Sequence, residues 1–175
     1  IIKKCLPENM KIFNQLGIQD IIVSDDCSTD DSLKYMKENF PDIQVVQNVV
    51  NSGFSQTCNT GASAAKEDII LFLNNDMILK SLHLDNILNR FQDKTLFATS
   101  PKIMRKHDGG LINETPSYGY FKGGWFSTVN SESMLQHVNA SKPFPILWGC
   151  GGAMFVDKQK FNILNGFDTI FFIGY

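Results

Sequence analysis

The stretches IIVSDD (residues 21–26) and IILFLNND (residues 69–76) decide the fold of this chain. Each is a short apolar run that ends in acid or amide side chains, and such a run predicts a strand buried on both faces, as in a parallel sheet covered by helices. Ligands bind open α/β sheets outside the carboxyl ends of such strands. A carboxylate near the protein interior costs free energy unless it is paired, hydrogen-bonded or bound to a metal. We therefore expect the two acidic strand ends to form one site.

Helical patterns alternate with these strands. Apolar residues recur at helical spacing between capping and breaking residues in five windows, at about residues 3–16, 28–39, 54–66, 81–91 and 157–164. Two further strands are predicted at about residues 43–46 and 96–99. The third helix is rich in small side chains, so we expect it to pack closely beneath the sheet or a ligand. The alternation predicts an α/β fold with a mostly parallel sheet flanked by helices.

The pattern changes after Lys102. Residues 105–130 carry five glycines among aromatic side chains and show no sustained period. We predict a long loop there that forms a lid or a binding surface. The apolar segment at residues 146–156 is predicted to return to the sheet. Glycines in the middle of this segment predict the close approach of another backbone or of a ligand.

Composition narrows the class of protein. With 175 residues, 43% of them hydrophobic and 19% charged, the chain is long enough for one domain with a sizeable core. A net charge of −2 gives no broad basic field, so we expect no nucleic-acid partner. The four cysteines form no C-x-x-C pair, which predicts reduced thiols and a cytoplasmic protein. No apolar run reaches the ~18 residues of a membrane helix. Any membrane contact is expected to be peripheral, at the inner face.

Four motifs in order carry a family resemblance. They are VSDDCSTD at residues 23–30, NSGF with NTG at residues 51–61, LFLNND at residues 71–76 and GFDTIFF at residues 166–172. Together they resemble the landmarks of glycosyltransferase family 2 over nearly the whole chain. The resemblance implies the GT-A fold, a Rossmann-like fold of nucleotide-diphospho-sugar transferases. It also implies transfer of a sugar from a nucleotide sugar with inversion at the anomeric carbon, assisted by Mg²⁺ or Mn²⁺.

The resemblance assigns roles to the motif residues. Asp25 would contact the nucleotide base, and Asn74-Asn75-Asp76 would be the metal-binding triplet, with Asp76 as the metal ligand. The other implied contacts with the nucleotide sugar are Asp26, Ser28, Asn51, Gly53, Phe54, Asn59, Asn74 and Asn75. Asn at the first position of the triplet is similar to members that act on bacterial surface polysaccharides, rhamnosyltransferases among them. The implied donor is a UDP- or dTDP-sugar, and the implied acceptor is a glycan or a lipid-linked glycan.

Elementary chemistry agrees with these roles. A hard divalent cation stabilises the charge that develops on a leaving diphosphate, and it needs few protein ligands to do so. Because Asn74 is neutral, the metal would depend on diphosphate oxygens more than it would between two aspartates. On the acceptor side, Tyr118, Trp125 and Trp148 are predicted to stack on sugar faces, with Gly149 beside them.

Two departures from the family pattern stand out. The family opens with an apolar strand that ends in a Pro-Tyr-Asn-like segment, whereas this sequence opens at the following helix. The family also places a Glu-Asp pair just after the aromatic stretch matched by residues 171–175. We therefore expect residues 1–175 to be a single GT-A domain that lacks its first strand and its C-terminal part. The catalytic base is expected just after Tyr175.

Other interpretations stay open. Asp25 and Asp26 could begin a turn and cap the next helix, and Asp76 could be a turn residue at a strand end. For the whole chain, the alternatives are a sugar nucleotidyltransferase of similar fold and a non-catalytic module that binds a nucleotide or a sugar. A phosphoacceptor receiver domain needs a third strand-end aspartate that is itself phosphorylated and a lysine at a later strand end, and the Asn-Asn-Asp triplet fits this pattern poorly.

Overall fold

The computed structural model describes residues 1–113, 118–129, 146 and 148–171. Helices and strands alternate over the first hundred residues, as predicted. The helices of the described residues are α1 (Ile2–Gln15), α2 (Ser32–Asn39), α3 (Gly53–Ala64), α4 (Leu84–Arg90) and α5 (Lys158–Ile163). The strands are β1 (Ile22–Asp25), β2 (Gln44–Gln47), β3 (Ile69–Leu73), β4 (Ala98–Thr99), β5 (Met104–His107), β6 (Gly110–Asn113), β7 (Tyr118–Lys122), β8 (Trp125–Val129) and β9 (Ala153–Asp157).

Strand pairing is parallel in one half of the fold and antiparallel in the other. β1 pairs in parallel with β2, with Val23 opposite Val45. β9 lies between β3 and β4 and is antiparallel to both, with Leu71 and Thr99 each opposite Phe155. The predicted parallel pairing therefore holds for β1 and β2. β9, the last strand in chain order, pairs antiparallel with both of its neighbours. Four of the five β9 residues are buried, as in the central strand of a covered sheet.

The core lies where α3 and α5 cover β3 and β9. Ala62, Met154, Val156 and Phe161 form its buried centre. Three aromatic rings, those of Phe72, Phe161 and Phe167, pack around it with centroids 5.2–5.3 Å apart. The small residues of α3 permit this approach, as predicted, and a Cβ built at Gly61 would lie 3.3 Å from the Ser24 Cβ on β1. One helix thus covers both β1 and β3.

Burial of β1 and β3 is less complete than their apolar runs predict. All five residues of β3 and the first three of β1 are half-buried, and Asp25 is the buried member of β1. Within the described residues β1 pairs only with β2 and β3 only with β9, so each strand keeps one unpaired edge. An unpaired edge leaves neighbouring side chains in contact with solvent, which accounts for the difference.

Residues 105–130 were predicted to form a loop, and this prediction is wrong. β5 and β6 form one antiparallel hairpin, and β7 and β8 form another. The turn residues Asp108 and Gly109 have φ of 46° and 80°, and Gly123 and Gly124 have φ of 59° and 82°. Two successive positive φ values are typical of a type I′ turn, for which Asp-Gly and Gly-Gly are preferred. These dipeptides were the sequence signals for both hairpins.

Smaller differences concern helix ends. Pro7 lies in the second turn of α1 rather than in the first, and α4 begins at Leu84, later than predicted. Segment 146–156 becomes strand only from Ala153. None of the helices in the described residues combines the length and the apolar character needed to cross a bilayer.

Candidate functional site

The carboxylate of Asp25 ends β1 and is buried, with 7% of the residue exposed. Its Oδ2 accepts a hydrogen bond from the Ser28 N–H at 3.0 Å, across a turn in which Cys27 has φ of 61°. Every fully buried side-chain polar atom of the described residues has a hydrogen-bond partner. No described residue donates a hydrogen bond to Oδ1 of Asp25. Within the described part of the chain, one oxygen of this carboxylate is therefore without a hydrogen bond.

Both carboxylate oxygens of Asp26 are engaged by the loop that leads into α3. Oδ1 accepts hydrogen bonds from Asn48 Nδ2 at 2.9 Å and from the Ser52 N–H at 2.8 Å. Oδ2 accepts one from the Gly53 N–H at 2.8 Å. The N–H groups at a helix start have no partner within the helix. Asp26 therefore caps α3 from a neighbouring strand end, and its contact with the nucleotide sugar stays a prediction.

These hydrogen bonds also set the charge of Asp26. Burial acts to raise the pKa of its carboxyl, but the hydrogen bonds that it accepts outweigh burial and hold the pKa below its ordinary value. Asn48 extends the network, since its Nδ2 also lies 3.1 Å from Thr57 Oγ1 and its Oδ1 accepts from Thr60 Oγ1 at 2.8 Å. A charged Asp26 thus ties the end of β2 to the first two turns of α3.

The Asn-Asn-Asp triplet turns the chain directly after β3. The Asn74 N–H donates to the Gly152 carbonyl at 3.0 Å, and the Met77 N–H donates to the Asn74 carbonyl at 3.1 Å. This places Asn75 and Asp76 at an exposed corner. Within the described part of the chain, no group donates to or pairs with the Asp76 carboxylate. The glycines of segment 146–156 were predicted to be approached by another backbone or a ligand, but at Gly152 the crowding comes from side chains, chiefly that of Met77.

Asn9 of α1 holds the chain after the triplet, and the sequence analysis missed it. It is a buried side chain, 4% exposed. Its Nδ2 donates to the Met77 carbonyl at 3.0 Å, and the Leu79 N–H donates to its Oδ1 at 2.8 Å. The signal was present, since Asn9 lies four residues from Cys5 and four from Phe13 on the buried face of α1. A polar residue on such a face is expected to have a buried partner.

The triplet offers oxygen donors that fit a hard divalent cation. The Asp76 carboxylate and the side-chain carbonyl of Asn74 are ligands that Mg²⁺ and Mn²⁺ prefer. In the described part of the chain, no group of three or more His, Cys, Asp or Glu side chains could hold an ion alone. A cation bound here would therefore share its coordination with oxygens of a bound diphosphate.

The structure joins some predicted site residues and leaves others apart. Asp25, Ser28, Asp26 and Gly53 are linked by the hydrogen bonds described above. No hydrogen bond between described residues links this group to the triplet, so their union in one site stays a prediction. Three polar residues that were predicted to contact the donor are exposed, and their side chains form no hydrogen bond with any described residue: Ser28, Asn51 and Asn75.

Asn59 was predicted to contact the donor, but its amide is bound to the protein. Asn59 Nδ2 donates to the Phe167 carbonyl at 2.9 Å, and the Phe167 N–H donates to Asn59 Oδ1 at 2.8 Å. Gly166 has φ of 76°, and a Cβ built there would lie 2.4 Å from Asn59 Oδ1. This pair of hydrogen bonds, the Asn59 latch, joins two motifs that are 108 residues apart.

The segment after the latch runs along α3 towards its first turn. Ser55 Oγ donates to the Phe171 carbonyl at 3.1 Å, and the Phe54 and Phe167 rings lie 6.4 Å apart. Asp168 holds the intervening turn by accepting from the Ile170 N–H at 3.0 Å. Phe171 is thus brought to the end of α3 that Asp26 caps. The acid pair predicted after Tyr175 lies outside the described residues.

The predicted acceptor residues fall on two segments. Trp125 is 78% exposed near the tip of the β7–β8 hairpin, and Trp148 is 40% exposed, with its ring 6.5 Å from that of Phe126. Gly149 lies beside Met154, since a Cβ built at Gly149 would be 1.9 Å from the Met154 Sδ. Tyr118 begins β7. Their contact with an acceptor stays a prediction.

The family model named Glycosyl transferase family 2 matches residues 3–157. Among curated proteins, polypeptide N-acetylgalactosaminyltransferase 10 of Rattus norvegicus is 26% identical over 160 residues, a match that covers 86% of this chain and 26% of that protein. The chain therefore spans about a quarter of the length of the curated relatives that it matches.

Two solved structures share the fold. GalNAc-T7, solved with UDP, GalNAc and Mn²⁺, superimposes with a TM-score of 0.70 at 17% identity, over 98% of this chain and 35% of that chain. The mannosyltransferase PcManGT of Pyrobaculum calidifontis, in complex with GDP-Man and Mn²⁺, gives 0.58 at 19% identity, over 93% and 44%. These likenesses confirm the predicted GT-A fold.

Proposed function

The chain belongs to glycosyl transferase family 2, and from that premise we propose that it transfers a sugar from a nucleotide-sugar donor to an acceptor. One observation carries the proposal. Asp25 ends β1, and Asp76 lies just after β3. Each has at least one carboxylate oxygen that accepts no hydrogen bond from a described residue. Open strand-end carboxylates are what a ligand site at this edge of an α/β fold requires.

Asp25 is proposed to read the nucleotide base. Its free Oδ1 would accept a hydrogen bond from the N3–H of uracil or thymine, while the Ser28 N–H fixes its other oxygen. Hydrogen bonds to a charged group contribute about 1.5–3 kcal/mol. The proposed donor is accordingly a UDP- or dTDP-sugar. Support comes from GalNAc-T7, which was solved with UDP.

Asp76 and Asn74 are proposed to hold Mg²⁺ or Mn²⁺ together with the donor diphosphate. When bound, such an ion neutralises the negative charge that develops on the leaving nucleoside diphosphate. The protein's part is to position the two oxygen donors. Asn9 supports that part by fixing the backbone of Met77 and Leu79 directly after the turn.

Transfer is proposed to proceed by direct displacement with inversion. A base must then remove the proton of the acceptor hydroxyl, which is worth roughly 10²–10⁴-fold in rate. On the strength of the family resemblance, this base is proposed to lie just after Tyr175. The Asn59 latch and the Ser55 hydrogen bond support that placement, because they lead the segment before it towards the first turn of α3. Asp26 would then act indirectly, by holding α3 in place.

The acceptor is proposed to be a glycan or a lipid-linked glycan in bacterial surface polysaccharide synthesis, at the cytoplasmic face of the membrane. The neutral Asn74 at the head of the triplet is the feature that favours this class. Trp148 and Gly149 are the proposed acceptor contacts on the segment before β9, and Tyr118 the one on β7.

Isothermal titration with UDP, dTDP and GDP, each with and without Mn²⁺, tests the donor part of the proposal. We expect Mn²⁺-dependent binding of UDP or dTDP in preference to GDP, and loss of the metal dependence in Asp76→Ala. The matched control is Asp42→Ala, which removes an exposed carboxylate between α2 and β2. Metal dependence that persists in Asp76→Ala would refute the metal role.

Product analysis separates the alternatives for the whole protein. Incubation with a nucleotide sugar and an acceptor should release a nucleoside diphosphate. Formation of a nucleotide sugar from a sugar phosphate and a nucleoside triphosphate would instead identify a nucleotidyltransferase. The third alternative is tested with a protein that includes its native residues after Tyr175. If this protein binds the nucleotide sugar but does not turn it over, it is a non-catalytic module.

A further inference from the structure

The tip of the β7–β8 hairpin protrudes from the protein. All six residues from Phe121 to Phe126 are exposed, and Phe121 and Trp125 are each 78% exposed. A Cβ built at Gly123 or Gly124 would meet no atom within 4 Å. The two glycines form the type I′ turn, which keeps the hairpin tight up to its end. The tip therefore presents two large aromatic rings to solvent.

The apolar side chains of the tip lie on both faces of the hairpin. Phe121 is opposite Phe126 in the register, and Lys122 is opposite Trp125. Because side chains alternate between faces along a strand, the two phenylalanines share one face and Trp125 lies on the other with Lys122. The rings of Phe121 and Phe126 are 5.0 Å apart. A hairpin that covered a core would be apolar on one face only.

The net charge of residues 102–129 is opposite in sign to the net charge of the whole chain. Between residues 102 and 129 the cationic side chains outnumber the acidic ones by four to two, whereas the full chain has 16 basic and 18 acidic residues. Lys122, at the tip, is exposed. A Lys beside exposed aromatic rings can lay its apolar stem along them and keep its ammonium at the level of anionic head groups.

We propose that the tip formed by residues 121–126 inserts into the interfacial region of an anionic lipid bilayer. Trp and Phe rings on a convex tip suit the boundary between head groups and acyl chains, where amphipathic aromatic side chains concentrate. A discrete sugar ligand would require a concave site with several hydrogen-bonding side chains, whereas the tip has only the Lys122 ammonium and the Trp125 indole N–H. The inference rests on the hairpin alone and is independent of the donor proposed above.

The two tryptophans of the chain, Trp125 and Trp148, make the insertion measurable. The Trp148→Phe change leaves Trp125 as the only tryptophan of residues 1–175. Vesicles made of equal parts phosphatidylcholine and phosphatidylglycerol should shift its emission to the blue, and brominated lipids should quench it. Vesicles of phosphatidylcholine alone should bind several-fold more weakly, because the attraction between Lys122 and the anionic surface is then absent.

Two variants test the side chains. Phe121→Ala/Trp125→Ala should weaken co-sedimentation with the anionic vesicles at least tenfold, since removing ~60 Å² of apolar burial already corresponds to about that factor. Lys122→Gln should weaken it about fivefold on anionic vesicles and leave binding to phosphatidylcholine unchanged. The matched control is Ile163→Ala, because Ile163 is an apolar residue that is 72% exposed and belongs to α5 rather than to the hairpin.

Several results would overturn the proposal. These are absence of vesicle binding by the unmodified protein, unchanged binding by the double variant, and a Trp125 emission shift caused by a soluble oligosaccharide instead of lipid. Concentration-dependent dimerisation that the double variant abolishes would reassign the tip to self-association. The UDP titration, run on the same variants, keeps this test separate from that of the donor site. Tip variants that lose vesicle binding but keep UDP binding support the tip proposal, whereas absence of UDP binding by the unmodified protein would refute only the donor proposal.

Discussion

Removing the Asn59 side chain should destabilise the protein through the latch. Asn59→Ala deletes two hydrogen bonds, at 2.9 and 2.8 Å, and leaves the N–H and the carbonyl of Phe167 without their partners. Each lost bond is worth about 1 kcal/mol, and an unsatisfied polar group costs about 1–3 kcal/mol if it stays dry. Because Asn59 is half-buried, water can reach part of the space that its side chain leaves. We therefore expect the free energy of unfolding to fall by about 2–3 kcal/mol in total.

Gly166 provides a second perturbation of the same contact. Gly166→Ala adds a methyl group in a left-handed conformation, which costs about 1–2 kcal/mol, and it places that methyl 2.4 Å from Asn59 Oδ1. In the Asn59→Ala background the second cost disappears, because the oxygen is gone. The double variant should therefore be more stable than the sum of the two single changes predicts, by roughly 1 kcal/mol or more.

Urea unfolding followed by circular dichroism measures all four proteins of the cycle. For a chain of this size, about 2–3 kcal/mol corresponds to a fall in Tm of about 4–12 °C. The control is Asn39→Ala, since Asn39 makes one exposed hydrogen bond, to the Tyr35 carbonyl in the same helix, and its loss should cost less than about 0.5 kcal/mol. Two results would refute the role of the latch. One is strict additivity of the changes in unfolding free energy over the four proteins, and the other is a loss of stability in Asn59→Ala no larger than that in Asn39→Ala.

Three further predictions address the site and its surroundings. The pKa of Asp26 is lowered in the folded protein, so its contribution to stability is present above about pH 4 and is lost as the pH falls through the lowered value; urea unfolding from pH 7 to pH 3 should show this dependence, and Asp26→Asn should flatten it. Burial raises the pKa of the Cys58 thiol to about 12, so mass spectrometry after iodoacetamide treatment at pH 8 should find Cys58 unmodified in the native protein and modified after denaturation. Asp25→Ala should weaken UDP binding by about 1.5–3 kcal/mol in titration calorimetry, and Asp25→Asn by less; equal affinity for all three proteins would leave Asp25 with only its turn-forming role.

Local patterns predicted much of the fold. The apolar runs at residues 22–25 and 69–73 are strands, and the small-residue segment at residues 53–64 is the helix that covers them. The acidic strand ends and the family resemblance followed from the same stretches. The missed hairpins were also encoded locally, in the dipeptides Asp108-Gly109 and Gly123-Gly124, because positive φ at two successive residues is a local steric property.

Contacts between distant motifs were decided only by the tertiary structure. Asp26 and Gly53 were both predicted to bind the donor, and nothing in either motif indicates that one caps the helix begun by the other. Asn59 and Phe167 were likewise matched to separate motifs, yet two hydrogen bonds join the Asn59 amide to the Phe167 backbone. The chemical type of a side chain determines which groups it can form hydrogen bonds with. It does not determine which of several possible partners lies close enough to do so.

The sequence by itself determined the helices and strands, the α/β class and the residue types at the strand ends. Only the tertiary structure showed that β9 pairs antiparallel with β3 and that β3 is half-buried. It also showed which acidic side chains accept hydrogen bonds from the protein, as Asp26 does. The physical reason is the range of the interactions. Backbone sterics and side-chain periodicity act over a few residues, whereas burial and hydrogen-bond partnership depend on which surfaces meet when segments a hundred residues apart pack together.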